Sequence, residues 1–162
     1  MPIDDANALD SFDVQILARY QHDTRATAEA IGAEIGLSAA AVQRRLKRLR
    51  ETGVIQAETA LISPHAAGFP ITCVVSVDIE REGAEELGRF KARMQGIAEV
   101  QQCYYVTGAT DFILVVLARD MARYEAFTRE HLLSDPNVRS FTTHVVMESV
   151  KTGVGVPLGA VK

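Results

Sequence analysis

The hydrophobic pattern of this chain first changes period near residue 70, and that change limits the folds available to it. Before residue 70, apolar residues recur three or four positions apart, as on the buried face of an amphipathic helix. After it, residues 71–80 alternate apolar and polar side chains, which is the pattern of a strand with one buried face. Helices followed by strands mixed with helices predict an α+β protein with two domains.

The first predicted helix begins in the stretch LDSFDVQIL, residues 9–17. Asp10 is a good N-cap there, and Asp13 places a second carboxylate in the first turn, where the helix dipole favours negative charge. A buried stripe of apolar residues then follows: Ile16, Leu17 and Tyr20. These features predict an amphipathic helix.

Two more helices are predicted after it, separated by a short turn. The second helix starts at Thr27 and ends at Gly36, because glycine adopts the left-handed conformation of a helix end at no steric cost. Ser38 can cap the third helix only two residues later. Two helices joined in this way indicate a helix-turn-helix. Because residues 54–62 have the pattern of an extended exit, we expect a short winged helix-turn-helix domain over residues 1–62.

The C-terminal part predicts a different architecture. Residues 63–70, SPHAAGFP, have the proline and glycine typical of a linker. The elements after it are predicted in the order strand, helix, strand, strand, helix, strand, the last strand running from Val138 to Val150. This is the order of the ferredoxin-like βαββαβ fold, an antiparallel sheet with two helices on one face. We therefore expect a ferredoxin-like domain over residues 71–162, with a flexible glycine-rich end.

The composition favours a folded cytoplasmic protein. The chain has 162 residues, of which 48% are hydrophobic, and this suffices for a buried core. It contains no run of about eighteen apolar residues to cross a bilayer, and its N-terminus is acidic where a signal peptide is basic. Cys73 and Cys103 lie inside apolar runs without CxxC spacing, which favours reduced buried thiols. The four histidines lack metal-ligand spacing, so we expect neither a metal nor another cofactor.

The third predicted helix has an unusual charge. The chain has a formal net charge of -4, yet the segment QRRLKRLR, residues 43–50, has five cations in eight residues and no acid. Residues 24–50 together hold six cations against two anions. Val42, Leu46 and Leu49 recur on one side of this helix, so most of the cations lie on the other. Such a run is often only a solvated face, but an acidic protein with one basic face is also suited to dock on DNA through it.

Position within the helix separates two kinds of DNA contact. A recognition helix presents its N-terminal residues to base edges and its flanks to phosphates. We therefore expect base-edge contacts from Ser38, Ala39, Ala40, Gln43 and Arg44. Of these, Gln43 suits adenine and Arg44 suits guanine. Phosphate contacts are expected from three other basic residues: Arg25, Lys47 and Arg48.

These segments together resemble the Lrp/AsnC family of transcription regulators, also called feast/famine proteins. In the N-terminal half the resemblance lies in LDSFDVQIL and in the GLS turn before VQRRLKRLRETGVI. In the C-terminal half it lies in CYYVTGATDFILVV and in the closing KTGVGVPL. The GATD turn alone is a weak signal, but its combination with an upstream helix-turn-helix is specific. The resemblance implies a sequence-specific, DNA-binding transcriptional regulator that responds to a small effector, commonly an amino acid.

The same resemblance implies an assembly and an effector site. It implies a homodimer formed through the sheets of the sensing domains, often assembled into tetramers or octamers. The effector is implied beside the GATD turn, at the positions Tyr104, Thr107, Gly108 and Asp111. Gly108 lets a ligand approach backbone amides, and Asp111 suits an ammonium group. In a tight turn, however, an aspartate can equally bond only neighbouring amides, and both alternatives stay open.

Two other functions are compatible with this architecture. Siroheme decarboxylases resemble the same two-domain arrangement and would use histidine and basic residues around a tetrapyrrole. The outward cations favour DNA instead, and neither a Ser-His-Asp set nor a carboxylate pair is evident, so we expect no enzymatic activity. The third alternative is a protein that only binds an effector or assembles, because a ferredoxin-like fold does not by itself determine function.

Overall fold

The structure is a computed structural model that describes residues 8–153 and 155–158. The described residues form two compact units. The first contains the residues up to Ala60 together with those from Lys151 onward, and the second is Leu61–Val150. Among the described residues, no helix is both long and apolar enough to cross a membrane.

The first unit contains the three predicted helices: α1 (Ser11–Tyr20), α2 (Ala28–Ile35) and α3 (Ala39–Glu51). Each begins after the expected capping residue: Asp10, Thr27 and Ser38. Gly36 ends α2 in the left-handed conformation, with φ 76°. The N–H of Leu37 then donates a hydrogen bond of 2.9 Å to the carbonyl of Gly32, which closes the turn between α2 and α3. The helix-turn-helix prediction is therefore confirmed.

The extended exit predicted for residues 54–62 is not a strand. The N–H of Ile55 still bonds the carbonyl of Leu49 at 2.9 Å, and residues 56–62 have no regular secondary structure. All four strands in the described part of the chain belong to the second unit. A strand needs a neighbour to accept its backbone hydrogen bonds, and this segment has none among the described residues. The predicted wing is therefore absent there.

The second unit has the predicted βαββαβ order: β1 (Ile71–Ile79), α4 (Ala84–Gln95), β2 (Val100–Tyr105), β3 (Phe112–Ala118), α5 (Met121–Thr128) and β4 (Val138–Val145). A π-helical turn, Arg129–Leu133, extends α5. The sheet order is β2-β3-β1-β4, and all neighbouring strands are antiparallel. The ferredoxin-like fold is thus confirmed, although β4 ends at Val145 instead of Val150.

The C-terminal tail differs from the predicted domain boundary. We expected residues 151–162 in the second domain, whereas the described tail residues group with the first unit. The backbone of Val156 makes two hydrogen bonds with the side-chain amide of Gln21, at 2.9 and 3.1 Å. The flexible end expected from the sequence includes residues 154 and 159–162, which lie outside the described residues.

The sheet has one covered face and one open face. Alternate residues of the two central strands are buried against α4 and α5, where they pack with Phe90, Met94, Tyr124 and Phe127. The intervening residues point to the opposite face, which no helix covers in the described part of the unit. That open face is largely apolar at its centre and contains Val74, Ile113, Val115 and Leu117, all only partly buried.

Candidate nucleic-acid interface and effector site

The outer face of α3 exposes both short side chains and long polar side chains to solvent. Its inner face is fixed by three buried residues, Val42, Leu46 and Leu49. The predicted base-reading residues lie on the other faces. Of these, Ser38, Ala40, Gln43 and Arg44 are exposed and Ala39 is half-buried. Short side chains near the start of the helix leave space for close approach, while Gln43 and Arg44 carry the longer hydrogen-bonding groups.

The N-terminus of α3 adds backbone donors to this face. The Oγ of Ser38 accepts a hydrogen bond of 3.2 Å from the N–H of Ala41, and its carbonyl accepts one from Val42. The N–H groups of Ala39 and Ala40 donate to no acceptor among the described residues. Free amides at the positive end of a helix dipole form a natural site for a phosphate oxygen.

The cations around α3 are more extensively paired with acids than the sequence indicated. Five of the six cations in residues 24–50 contact an acid within 4.0 Å: Arg25–Asp23, Arg45 with Asp10 and Asp13, Lys47–Glu51, Arg48–Asp13 and Arg50–Glu58. Every one of these acids lies outside the window 24–50, which is why counting charge inside that window overstated the local excess. Within the described residues, only Arg44 of this group has no acidic partner.

Arg48 therefore differs from the prediction. The sequence placed it with the outward cations, but its guanidinium pairs with the buried carboxylate of Asp13, and its side chain is 49% exposed. The Arg25 and Lys47 side chains are 90% and 75% exposed, so water and salt screen their pairs with Asp23 and Glu51. Arg25 and Lys47 are consequently available to phosphate, whereas Arg48 is held at the edge of the face.

Tyr20, Arg50 and Glu58 form a hydrogen-bonded cluster that anchors the segment after α3. Arg50 Nη2 donates to the hydroxyl of Tyr20 at 2.9 Å and to Glu58 Oε1 at 2.8 Å, and the Tyr20 hydroxyl also donates to Glu58. These bonds from Arg50 and then Tyr20 lower the pKa of the Glu58 carboxyl. Burial, followed by the bond to Glu58, raises the pKa of Tyr20. The Arg50 side chain therefore anchors the segment after α3 through Glu58.

The predicted effector residues lie at the turn between β2 and β3. Thr107 and Gly108 are exposed, and Gly108 has φ 134°, a conformation that favours glycine. Tyr104 is 52% exposed and lies opposite Ile113 on the open face of the sheet. The turn and this side chain therefore offer backbone groups, a hydroxyl and an aromatic ring at one end of the open face.

Asp111 has a structural role in the same turn. Its Oδ2 accepts a hydrogen bond of 2.6 Å from the N–H of Ile79, and its own N–H donates to the carbonyl of Val77 at 3.2 Å. The hydroxyl of Thr110 donates to the same carbonyl at 2.9 Å. Bonding to neighbouring amides, one of the two alternatives for Asp111, is therefore observed. The other carboxylate oxygen, Oδ1, accepts no hydrogen bond in the described part of the chain.

Comparison with known proteins identifies the family. Residues 9–50 match the AsnC-type helix-turn-helix domain, and residues 72–156 match the Lrp/AsnC ligand binding domain. The chain belongs to the Lrp/AsnC family. An uncharacterised HTH-type transcriptional regulator of Sinorhizobium fredii is 46% identical to this Lrp/AsnC regulator, over 96% of this chain and 92% of its own length. The leucine-responsive regulatory protein of Haemophilus influenzae is 33% identical, over 89% and 87% respectively.

Solved structures agree with this assignment. A transcriptional regulator of Neisseria meningitidis in complex with L-Met matches with a TM-score of 0.87 and 29% identity, over 93% of this chain and 97% of that one. An AsnC family regulator of Agrobacterium tumefaciens matches with a TM-score of 0.86, also at 29% identity. The chain is an Lrp/AsnC-type transcriptional regulator with a helix-turn-helix and a ligand-binding domain, as the resemblance in the sequence implied.

Two residues that position α3 were not identified from the sequence. Gly32 is buried where α2 meets the turn, and Asp13 is buried between α1 and α3. A glycine inside a helical pattern is a signal of close backbone approach that was available from the sequence. For Asp13 the signal was weaker, since a carboxylate in a first helical turn usually serves the helix dipole.

Proposed function

We propose that this Lrp/AsnC regulator binds double-stranded DNA sequence-specifically by inserting the outer face of α3 into a major groove. The observation that carries the proposal is the position of Arg44, a cation without an acidic partner among the described residues, beside exposed Gln43 and the short side chain of Ala40. Arginine is suited to the two acceptors of guanine, and glutamine to the acceptor and donor of adenine. Ser38 and Ala39, one helical turn earlier, complete the base-edge set.

The proposed phosphate contacts surround this base-reading centre. Arg25 and Lys47 are exposed cations with screened partners, and the free amides of Ala39 and Ala40 point from the start of α3. Arg48 is half-exposed at the edge of the face and can also reach a phosphate, but Asp13 already opposes its charge. In this arrangement some residues contact base edges and determine sequence preference, and the others bind the phosphate backbone of the DNA.

A salt titration tests the DNA interface directly. Fluorescence anisotropy of the whole chain with a 30-bp duplex from upstream of its own gene should show affinity that falls linearly with the logarithm of salt. With two freely available cations per unit, we expect a slope of about -2 per helix-turn-helix, since each neutralised phosphate contributes about 0.9. A random-sequence duplex serves as the control and should bind more weakly at every salt concentration. Affinity that depends on neither salt nor sequence would remove the proposal.

The proposed effector is an amino acid bound at the turn between β2 and β3. Similarity to a regulator solved with L-Met supports this ligand class. The geometry of the turn supports the location, because Asp111 Oδ1 is left for an ammonium group and the backbone at Gly108 is exposed for a carboxylate. Tyr104 and Thr107 supply a ring and a hydroxyl beside them. An effector that binds two arrangements of the regulator unequally will change its affinity for DNA.

Asp111→Asn separates the structural role of this residue from effector binding. The amide oxygen of asparagine can still accept from the N–H of Ile79, so the fold is retained, while the negative charge is lost. We expect affinity for L-Met or L-Leu, whichever binds the wild type, to fall about 10- to 100-fold because a charge-assisted hydrogen bond is lost. Isothermal titration calorimetry measures the change. Asp120→Asn is the matched control, since asparagine is also a good N-cap for α5. Equal affinity in both variants would leave Asp111 with its backbone role alone.

We further propose that the open face of the sheet is covered by a second copy of the chain. Its partly buried aliphatic residues, with half-exposed Tyr104 and the exposed His144 at its margins, form an apolar surface that water would leave on pairing. This supports the homodimer predicted from the sequence, while assembly into tetramers or octamers stays a prediction. Analytical ultracentrifugation tests the pairing, and a monomeric mass at micromolar concentration would contradict it.

A further inference from the structure

The carboxylate of Asp13 is buried, with a side-chain exposure of 0%, yet it belongs to the helix-turn-helix and faces two cations of α3. Its Oδ1 accepts a hydrogen bond of 2.8 Å from Arg45 Nη1, and its Oδ2 accepts from Arg48 Nη2. The N–H of Asp10 donates to the same Oδ2 at 3.2 Å. Three donors therefore satisfy one buried carboxylate, two of them guanidinium groups of the helix proposed to enter DNA.

Asp10 and Phe12 complete the surroundings of Arg45. Arg45 Nη1 also contacts Asp10 Oδ2 at 2.7 Å, and its guanidinium carbon lies 5.5 Å from the centroid of the Phe12 ring. The Arg45 side chain is only 22% exposed, so it serves packing between α1 and α3 more than it serves solvent. Arg48 is 49% exposed but ends on the same carboxylate. The start of α1 thus holds two of the five cations that the sequence places on α3.

We propose that Asp13 is a positioning residue that raises DNA sequence specificity by withdrawing the charges of Arg45 and Arg48 from the phosphate backbone. The proposal rests on the DNA-binding function proposed above. It assigns the sequence-independent attraction of this face to Arg25 and Lys47, and it leaves Arg44 as the cation available to a base. Asp13 touches no DNA itself; it acts through the two arginines.

Pairing Arg45 and Arg48 with Asp13 should lower the sequence-independent part of the DNA affinity, which comes from the release of counterions. Each free cation that neutralises a phosphate strengthens binding to every DNA sequence alike. A cation already neutralised by a buried carboxylate contributes little to that term. Moving Arg48 away would leave part of a buried charge without its partner, which is costly. Specificity is the ratio of affinities for the chosen and the random sequence, so holding back non-specific charge raises that ratio.

The first arm of the test compares two neighbouring cations on the same helix. Lys47→Gln and Arg48→Gln are titrated against a random-sequence 30-bp duplex by fluorescence anisotropy between about 50 and 200 mM salt. We expect Lys47→Gln to reduce the slope of log affinity against log salt by about 0.9 per helix-turn-helix unit, and Arg48→Gln to reduce it by less than about half of that. Equal reductions would overturn the proposal. This arm needs no change at Asp13, so it decides the question even if variants of Asp13 fold poorly.

The second arm removes the carboxylate charge. Asp13→Asn keeps the size of the side chain and an oxygen for the N–H of Asp10, and it should steepen the slope by about 1 as Arg48 is released, while Arg45 stays paired with Asp10. Adding Arg48→Gln to Asp13→Asn should reverse about 0.9 of that change. Glu29→Gln is the matched control: it alters net charge equally on the exposed surface of α2, where Glu29 has no ion-pair partner among the described residues. A slope in Asp13→Asn equal to that of Glu29→Gln would overturn the proposal.

Different results would contradict the proposed DNA interface and the proposed role of Asp13. A wild-type chain whose DNA affinity does not respond to salt overturns the DNA interface and this inference together. A wild-type chain that binds with the expected salt dependence, but in which Arg48→Gln matches Lys47→Gln, overturns the role of Asp13 alone.

Discussion

Gly32→Ala is expected to destabilise the helix-turn-helix unit by about 3 kcal/mol or more, and with it to abolish DNA binding. A Cβ atom on residue 32 would lie 2.4 Å from the carbonyl oxygen of Leu37 and 3.3 Å from its carbonyl carbon. Both are backbone atoms, so no flexible side chain can move aside. The same two residues are joined by the hydrogen bond of 2.9 Å that closes the turn between α2 and α3. Relieving the clash therefore requires opening the turn that orients the recognition helix.

Gly88→Ala is the matched control for this prediction. Gly88 lies on the exposed side of α4, and a Cβ there would meet no atom of the described residues within 4 Å apart from the backbone of its own helix. Alanine should stabilise that helix by up to about 1 kcal/mol, because glycine is the poorer helix former. Chemical denaturation of the whole chain followed by circular dichroism compares the two variants. If Gly32→Ala were as stable as Gly88→Ala, the close approach at the turn would be wrong.

The elements of the fold could be predicted because their signals are local. The capping residues of all three N-terminal helices and the left-handed Gly36 lie next to the boundaries they determine. Alternation of apolar and polar residues similarly indicates β1, and an unbroken apolar run after a tight turn indicates β3. The strand limits at Val145 and the missing wing after α3 were less predictable, because both depend on whether a neighbouring strand is present to pair with.

The charge pattern of the candidate site could not be predicted, because ion pairs depend on tertiary contacts. Asp13 pairs with Arg45 and Arg48, which lie 32 and 35 positions further along the chain. A window of 27 residues around α3 counted the cations and omitted the acids on either side of it that pair with them, Asp10, Asp13, Asp23, Glu51 and Glu58. Asp10, Asp13 and the arginines of α3 were visible in the sequence, but nothing in it showed that the start of α1 meets α3.

Asp111 illustrates the same limit at the effector site. Its bond to the N–H of Ile79 joins residues 32 positions apart, on neighbouring ends of β1 and β3. The sequence showed an aspartate in a tight turn and left its structural and ligand-binding roles open. The structure shows the first role, and the second stays a prediction that Asp111→Asn tests.

Arg44→Ala is expected to lower affinity for the chosen DNA sequence by about 1 to 3 kcal/mol, which is about 5- to 150-fold. Arg44 is the cation of α3 that has no acidic partner among the described residues, and it projects from the outer face near the start of the helix. A bidentate contact from this position to guanine would be lost entirely on truncation. The preference at one base pair should then relax, because only that pair loses its discriminating contact.

Anisotropy titrations against duplexes varied one base pair at a time measure both effects of Arg44→Ala. Arg129→Ala is the control, since Arg129 is 73% exposed on the extension of α5, in the second unit, and pairs only with Glu125 in the described chain. It should leave affinity and preference unchanged. A loss in Arg44→Ala that is equal for all duplexes would make Arg44 a phosphate contact instead of a base contact. The sequence preference of the regulator would then have to come from Gln43, which can make a bidentate contact with adenine, and from the short side chains at the start of α3.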